Sequence, residues 1–293
     1  MTTDATSTQD ETVRDASSNA PDSQTSQTTD SLQIERVPWS KIAQEFAEVW
    51  GRADPSDPQP EHVEVLGING SGKTLWMGKA VQERMIVRRT PCIILQSKPA
   101  DATIERLGWP IITNGDFRRA IKERWSVFWP MTTATGIERK NYQAIQFRNM
   151  LNALWRKDAN TIVVFDDFGY IQELIAPDTR EPLAPIVQMY LREGRSCGIT
   201  NVLLKQRAPG SRREMHSETQ WKIGFATVDE DDQERVAEIF GNRKAYMPVI
   251  KSMDADKHEF LIKHSRTGLE VISWVDTPLR PVKRPDRNSP SRS

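Results

Sequence analysis

Gly67-Ile68-Asn69-Gly70-Ser71-Gly72-Lys73-Thr74 fits the spacing Gly-x-x-x-x-Gly-Lys-Ser/Thr, and it stands between a β-rich run, HVEVLG at 62–67, and a helical run at 73–88. Both flanks are the ones a phosphate-binding loop requires. Two glycines at that spacing followed by Lys and a hydroxyl residue arise by chance in about one chain in a hundred of this size. Glycines let successive backbone N–H groups turn inward around a polyphosphate, at a helix N-terminus whose partial positive charge favours anions. The candidate nucleotide-binding residues are therefore Gly67, Asn69, Gly70, Ser71, Gly72, Lys73 and Thr74. In this geometry Lys73 neutralises the β- and γ-phosphates of ATP, and the Thr74 hydroxyl is a ligand for Mg2+.

The second informative run is TIVVFDDFG, 161–169, a stretch of apolar residues ending in two carboxylates. A buried strand of this kind delivers its acids to the carboxyl edge of a parallel sheet, where nucleotides bind. Asp166 is the expected Mg2+ partner, through water. Asp167 is the expected group that orients or deprotonates the attacking water. Read alone, the pair is also compatible with solvated turn acids.

Beyond these runs the chain alternates short β-rich segments with longer helical ones, which argues for an α/β fold with a parallel sheet flanked by helices. Strands are expected at 62–67, 91–97, 126–130, 161–167, 199–206 and 220–228, and helices at 73–88, 140–157, 184–196 and 231–240. Near the end, EFLIKH and LEVISWV flank the turn SRTG and predict a C-terminal antiparallel hairpin at the sheet edge. Upstream, Trp39, Ile42, Phe46 and Trp50 share one helical face, with Ser40 as the expected N-cap. The expected organisation is a disordered acidic tail (1–33), an amphipathic helix and linker (34–61), a P-loop domain (62–278) and a basic, Pro-rich disordered tail (279–293).

Composition narrows the function classes. The 293 residues carry 40 Lys+Arg and 40 Asp+Glu, with 37% hydrophobic residues. No stretch approaches the roughly 18 to 20 uncharged apolar residues of a membrane span. The neutral total is a cancellation: residues 1–33 hold six acids against Arg14, a net −5, so 34–293 sum to +5. The N-terminus has neither the basic start nor the apolar run of a signal peptide. Two cysteines, Cys92 and Cys197, sit in apolar segments and suggest a reducing, cytoplasmic setting. Four scattered histidines lack ligand spacing and read as structural or surface residues.

The run from Gly194 to Pro209, GRSCGITNVLLKQRAP, resembles the "GR-x-x-GI … Q-R-x-P" stretch of the FtsK/HerA superfamily of P-loop ATPases, ring motors that pump DNA. The following QWKIGFATVDEDDQERVAEIFG resembles that superfamily's strand, acidic turn and helix. With the loop at 67–74 and the paired aspartates, the resemblance covers roughly 62–245. It implies a RecA-like P-loop fold, Mg-dependent ATP hydrolysis, a hexameric ring and double-stranded DNA as substrate. It also implies that Gln206 senses the γ-phosphate, and that Arg195 is a candidate finger inserted into a neighbouring subunit's site. Arg192 and Arg207 have equal chemistry. The chain departs from the superfamily's pattern in having Asp where the catalytic acid is usually Glu and in a basic run, KQRAPGSRR, after the glutamine strand, and no long N-terminal domain, membrane anchor or winged-helix module is expected in it.

Lys205, Arg207, Arg212 and Arg213 form that basic segment, and a second expected loop, TTATGIERKN, holds Arg139 and Lys140. Arg139, Lys140, Arg207, Arg212 and Arg213 suit sequence-independent contacts to DNA phosphates. Lys98 and Trp109 are expected at a sheet edge near the nucleotide, with Trp109 as packing. The leading expectation is an ATP-driven DNA translocase of phage or mobile-element type, for genome packaging or DNA transfer. The alternatives are a non-translocating P-loop NTPase acting as a switch or assembly factor, and a small-molecule kinase.

Overall fold

A computed structural model describes residues 32–50, 60–113, 115–206 and 217–283. The expected acidic tail lies almost wholly outside the described residues, as do Arg207, Arg212, Arg213 and the last ten positions. Ten strands form one mostly parallel sheet in the order β1-β12-β11-β10-β2-β9-β6-β3-β5-β4, and two more, β7 and β8, form a small antiparallel pair. The strands are β1 Arg36–Pro38, β2 Val63–Leu66, β3 Cys92–Leu95, β4 Ile111–Ile112, β5 Trp125–Phe128, β6 Ile162–Phe165, β7 Ile175–Ala176, β8 Glu181–Pro182, β9 Thr200–Lys205, β10 Trp221–Phe225, β11 Phe260–His264 and β12 Glu270–Trp274. Among the described residues the α-helices are α1 Trp39–Val49, α2 Lys73–Val87, α3 Ala102–Glu105, α4 Phe117–Lys122, α5 Gly136–Leu154, α6 Phe168–Glu173, α7 Ala184–Arg192, α8 Glu230–Ile239 and α9 Arg243–Lys251.

Strands β2, β3, β6 and β9 are buried at every position. Their near-continuous apolar text is what two helical layers demand of central parallel strands. On one face, α1 and α2 pack an aromatic cluster of Trp39, Phe46, Trp50, Trp76, Trp221 and Phe260. The other face is covered by two clusters, one built on α5 and α7, the other on α8 and α9.

The sheet reaches further than the sequence reading. The hairpin β11–β12 forms as expected, but β1 pairs in parallel with β12 and takes the edge. Helix α1, expected outside the P-loop domain, is welded to α2 by that aromatic cluster. Ser40 is not its cap: the helix starts at Trp39 after Pro38, and Ser40 N donates to Asp276 Oδ1 at 3.0 Å. Leu279, expected in a disordered tail, is 5% exposed and lies where a Cβ on Gly78 would meet its methyl at 2.9 Å.

Candidate active site

The phosphate loop leaves β2 at Leu66 and enters α2 at Lys73. Gly72 caps the helix at φ +98, in the left-handed region that favours glycine. Gly67 is needed for a different reason: a Cβ there would lie 2.6 Å from Ser71 Oγ and 2.8 Å from Phe225 Cβ. Asn69 and Gly70 are exposed at the loop tip, whereas Ser71 and Lys73 are buried and Thr74 is half-buried in the first helical turn. Lys73 Nζ donates to the Gly67 and Ile68 carbonyls at 2.5 and 2.7 Å. Burial, and then the nearby Lys98 ammonium, bring its pKa down to about 8 against the opposing pull of Asp167 and Asp166. The ammonium thus rests on the loop's own carbonyls.

Strand β9 lies between β2 and β6 and is parallel to both. Their carboxyl ends therefore place the phosphate loop, Gln206 and the two aspartates side by side. Asp166 is 5% exposed, and neither carboxylate oxygen has a hydrogen-bond partner among the described residues. Burial raises its pKa to about 7, with Asp101 and Asp167 adding to the shift while Lys98 and Lys73 oppose it. Asp167 has both oxygens engaged: Oδ1 accepts from Tyr170 N at 3.1 Å and caps α6, and Oδ2 accepts from Gln206 Nε2 at 3.0 Å. Asp167 and Gln206 open on a cavity of about 690 Å³ that Asn69, Phe168, Gln172, Lys205, Asp232 and Arg235 also line.

The buried, unpartnered oxygens of Asp166 and the unpartnered Ser71 hydroxyl are hard donors of the kind a magnesium-bound polyphosphate uses. Among the described residues no group of three or more His, Cys, Asp or Glu could hold a metal ion by itself. The residues present fit a Mg2+–nucleotide.

Arg195 does not join this constellation. It stands in the short turn Gly194–Cys197 before β9, whereas Gln206 follows that strand. Six residues of extended chain separate the two by about 20 Å. His62 braces that far end. Asn201 N donates to its Nδ1 at 3.1 Å, and its Nε2 lies 3.0 Å from Leu191 O, so the Nε2 carries the proton. Burial holds the ring neutral, with a pKa brought down to about 4.

The expected nucleic-acid residues divide. Arg139 and Lys140 are not in a loop, because α5 begins at Gly136. Arg139 Nη2 donates to Ser97 O at 3.1 Å and so turns toward the sheet, while Lys140 is exposed. Arg207, Arg212 and Arg213 lie outside the described residues. Lys205, grouped with them in the sequence reading, is the last residue of β9 and is buried against Glu64. Trp109 is core, at 6% exposure, two residues before β4, the strand at the sheet edge, whereas Lys98 follows β3, an interior strand.

Sequence reasoning missed Lys98 as a charge acting on both Lys73 and Asp166. It also missed Arg235, and the Glu64–Lys205 pair. For that pair the sequence signal was a charged residue inside each of two largely apolar runs, HVEVLG and NVLLKQ.

No protein-family model matches the chain, and no curated protein sequence matches it. Solved structures do. The genome packaging NTPase B204 from Sulfolobus turreted icosahedral virus 2, in complex with sulfate, is similar over 77% of this chain and 98% of its own, with a TM-score of 0.52 at 13% identity. The same NTPase in complex with ATP-gammaS gives a TM-score of 0.51 at 14% identity, over 76% of this chain and 99% of its own. VirB4 of Thermoanaerobacter pseudethanolicus gives a TM-score of 0.54 at 11% identity, over 74% and 89%. What the chain shares with these structures is the P-loop ATPase fold, a mostly parallel sheet with flanking helices.

Proposed function

We propose that this protein is a Mg2+-dependent ATPase that assembles into a ring, expected to be hexameric, and translocates double-stranded DNA in genome packaging or DNA transfer. The observation that carries this reading is the meeting of Lys73, Asp166, Asp167 and Gln206 at the ends of three adjacent parallel strands, with Arg195 at the opposite end of the middle one.

The chemistry follows from the side chains. Lys73 leaves its two loop carbonyls and neutralises the β- and γ-phosphates. Thr74 and Asp166 would hold a magnesium ion, Asp166 through water, and the ion when bound would supply neutralisation of phosphate charge. Asp167 accepts a proton or a hydrogen bond from the water that attacks the γ-phosphorus, and the bond to the bridging oxygen of ADP breaks. Gln206 is already bonded to Asp167, and its amide can also meet a phosphate oxygen, so it reports whether the γ-phosphate is present. Arg195 is too far along β9 to serve its own site. A second copy of the chain is the natural recipient of its guanidinium, which would stabilise charge developing in phosphoryl transfer.

DNA phosphates would be gripped by Lys140 together with Arg207, Arg212 and Arg213, in contacts that carry no sequence information. Arg139 is held inward and contributes less. The genome packaging role printed for the similar viral NTPase supports the DNA reading. The test is ATP turnover with and without duplex DNA, combined with electron microscopy in a non-hydrolysable ATP analogue. Stimulation by duplex and a ring around it are expected. Turnover indifferent to DNA, by a protein that stays monomeric with nucleotide, would overturn the proposal in favour of a switch.

A further inference from the structure

Glu64 and Lys205 form an ion pair at 2.8 Å whose side chains are only 1% and 4% exposed. Glu64 is on β2, three residues before Gly67; Lys205 ends β9, one residue before Gln206. The pairing is diagonal, because Leu66 is the register partner of Lys205 and Leu203 that of Glu64. The same ammonium lies 5.1 Å over the ring centroid of Phe168, the residue after Asp167, and Thr219 Oγ1 donates to the other Glu64 oxygen at 3.2 Å. One buried cation therefore touches the strand of the phosphate loop and the residue after the water-orienting acid, and it hangs from the residue before the sensor.

A buried ion pair is a poor way to gain stability. Desolvation offsets its attraction, and an apolar pair of similar volume often holds two strands as well. What the charges add is direction: two charges buried together have one good geometry, and the ring below fixes where the ammonium lies. We propose that Glu64, Lys205 and Phe168 form a positioning element that fixes Gln206 and Asp167 relative to the phosphate loop. Phe168 and Lys205 also line the cavity, but the role proposed for them is positional. They act through the Gln206–Asp167 bond, and the inference rests on the reading of those two groups given above.

The test uses the full chain with the double variant Glu64→Gln/Lys205→Met, which removes both charges together and leaves Thr219 an acceptor. ATP-gammaS affinity is expected within about twofold of wild type, with kcat lowered about tenfold or more. Introduced into Gln206→Ala, the same pair of changes should cost no more than about a further twofold, because residues acting as a unit are non-additive. In nucleotide-free protein, the Gln206 side-chain amide resonances, assigned by their loss in Gln206→Ala, should move toward free-glutamine positions. Wild-type kcat in the double variant, a full additional loss in the Gln206→Ala background, or unmoved amide resonances would each overturn the inference. If the double variant does not fold, Lys205→Arg, which keeps the charge but displaces it, enters the same cycle with the same expectations. Wild-type turnover by Gln206→Ala itself would instead sink the reading of the site and not the brace.

Discussion

Gln206 Nε2 donates to Asp167 Oδ2 at 3.0 Å, so the residue proposed to sense the γ-phosphate and the acid proposed to orient water are directly joined. A bond between the two strand ends means that a γ-phosphate competing for the glutamine amide also changes the environment of Asp167. Gln206→Ala should therefore lower kcat by about 10²–10³-fold, the range for losing a positioned proton-transfer or charge-stabilising group. Binding of ATP-gammaS should change little. A Gln206→Ala protein whose KM rises while kcat holds would show that the glutamine only binds substrate.

Asp166 should behave as a group strained for function. Its pKa stands at about 7 in the folded chain against an ordinary 3.8, chiefly through burial. A carboxyl raised on folding favours the native state when protonated, so that contribution is lost as pH climbs from about 4 through 7. At pH 8 the ion-free protein carries the full cost, each tenfold change in proton affinity being worth about 1.4 kcal/mol. Asp166→Asn should then be more stable than wild type at pH 8, by an amount on the order of 2–4 kcal/mol in urea unfolding, and the gain should vanish near pH 4. Mg2+–ATP-gammaS binding below pH 7 should release close to one proton in wild type and none in Asp166→Asn. A variant less stable at pH 8, or one with unchanged proton release, would remove Asp166 from the ion site.

The aromatic seam between α1 and α2 should dominate stability. Trp39 is 1% exposed and meets Phe46, Trp76 and Phe260 at ring separations of 5.3, 5.7 and 6.2 Å. Trp39→Ala should cost about 3–5 kcal/mol, as large-to-small changes at aromatic core positions do. Ile137→Ala, at a residue 69% exposed, should stay within about 0.5 kcal/mol. A loss below about 1 kcal/mol at Trp39 would mean that α1 is not part of the folding unit.

The central strands and the phosphate loop were legible because their signals are local. IVVF before Asp166 and the spacing of Gly67, Gly72, Lys73 and Thr74 are written in a dozen consecutive positions or fewer. The order of strands is not local, and placing β9 between β2 and β6 is what brings Gln206 to Asp167. Short elements escaped as well: β1 and β4 are three and two residues long, too brief for periodicity to mark. Lys205 fell within the strand expected at 199–206, yet beside Gln206, Arg207, Arg212 and Arg213 it also read as part of a basic segment, and only its burial against Glu64 shows that its charge is turned to an internal partner.

Mixing two inactive proteins tests the central claim most directly: that hydrolysis needs the cluster at the strand ends of one copy and Arg195 of another. Lys73→Ala has no working phosphate loop but keeps Arg195, and Arg195→Ala has the reverse. Each alone should turn over ATP at least about 10³-fold more slowly than wild type, the scale of losing an arginine finger. Combined in equal amounts with duplex DNA, they should recover a substantial fraction of wild-type turnover, because some sites pair an intact loop with an intact arginine. Wild-type hydrolysis by Arg195→Ala alone, or no recovery at any mixing ratio, would contradict the account.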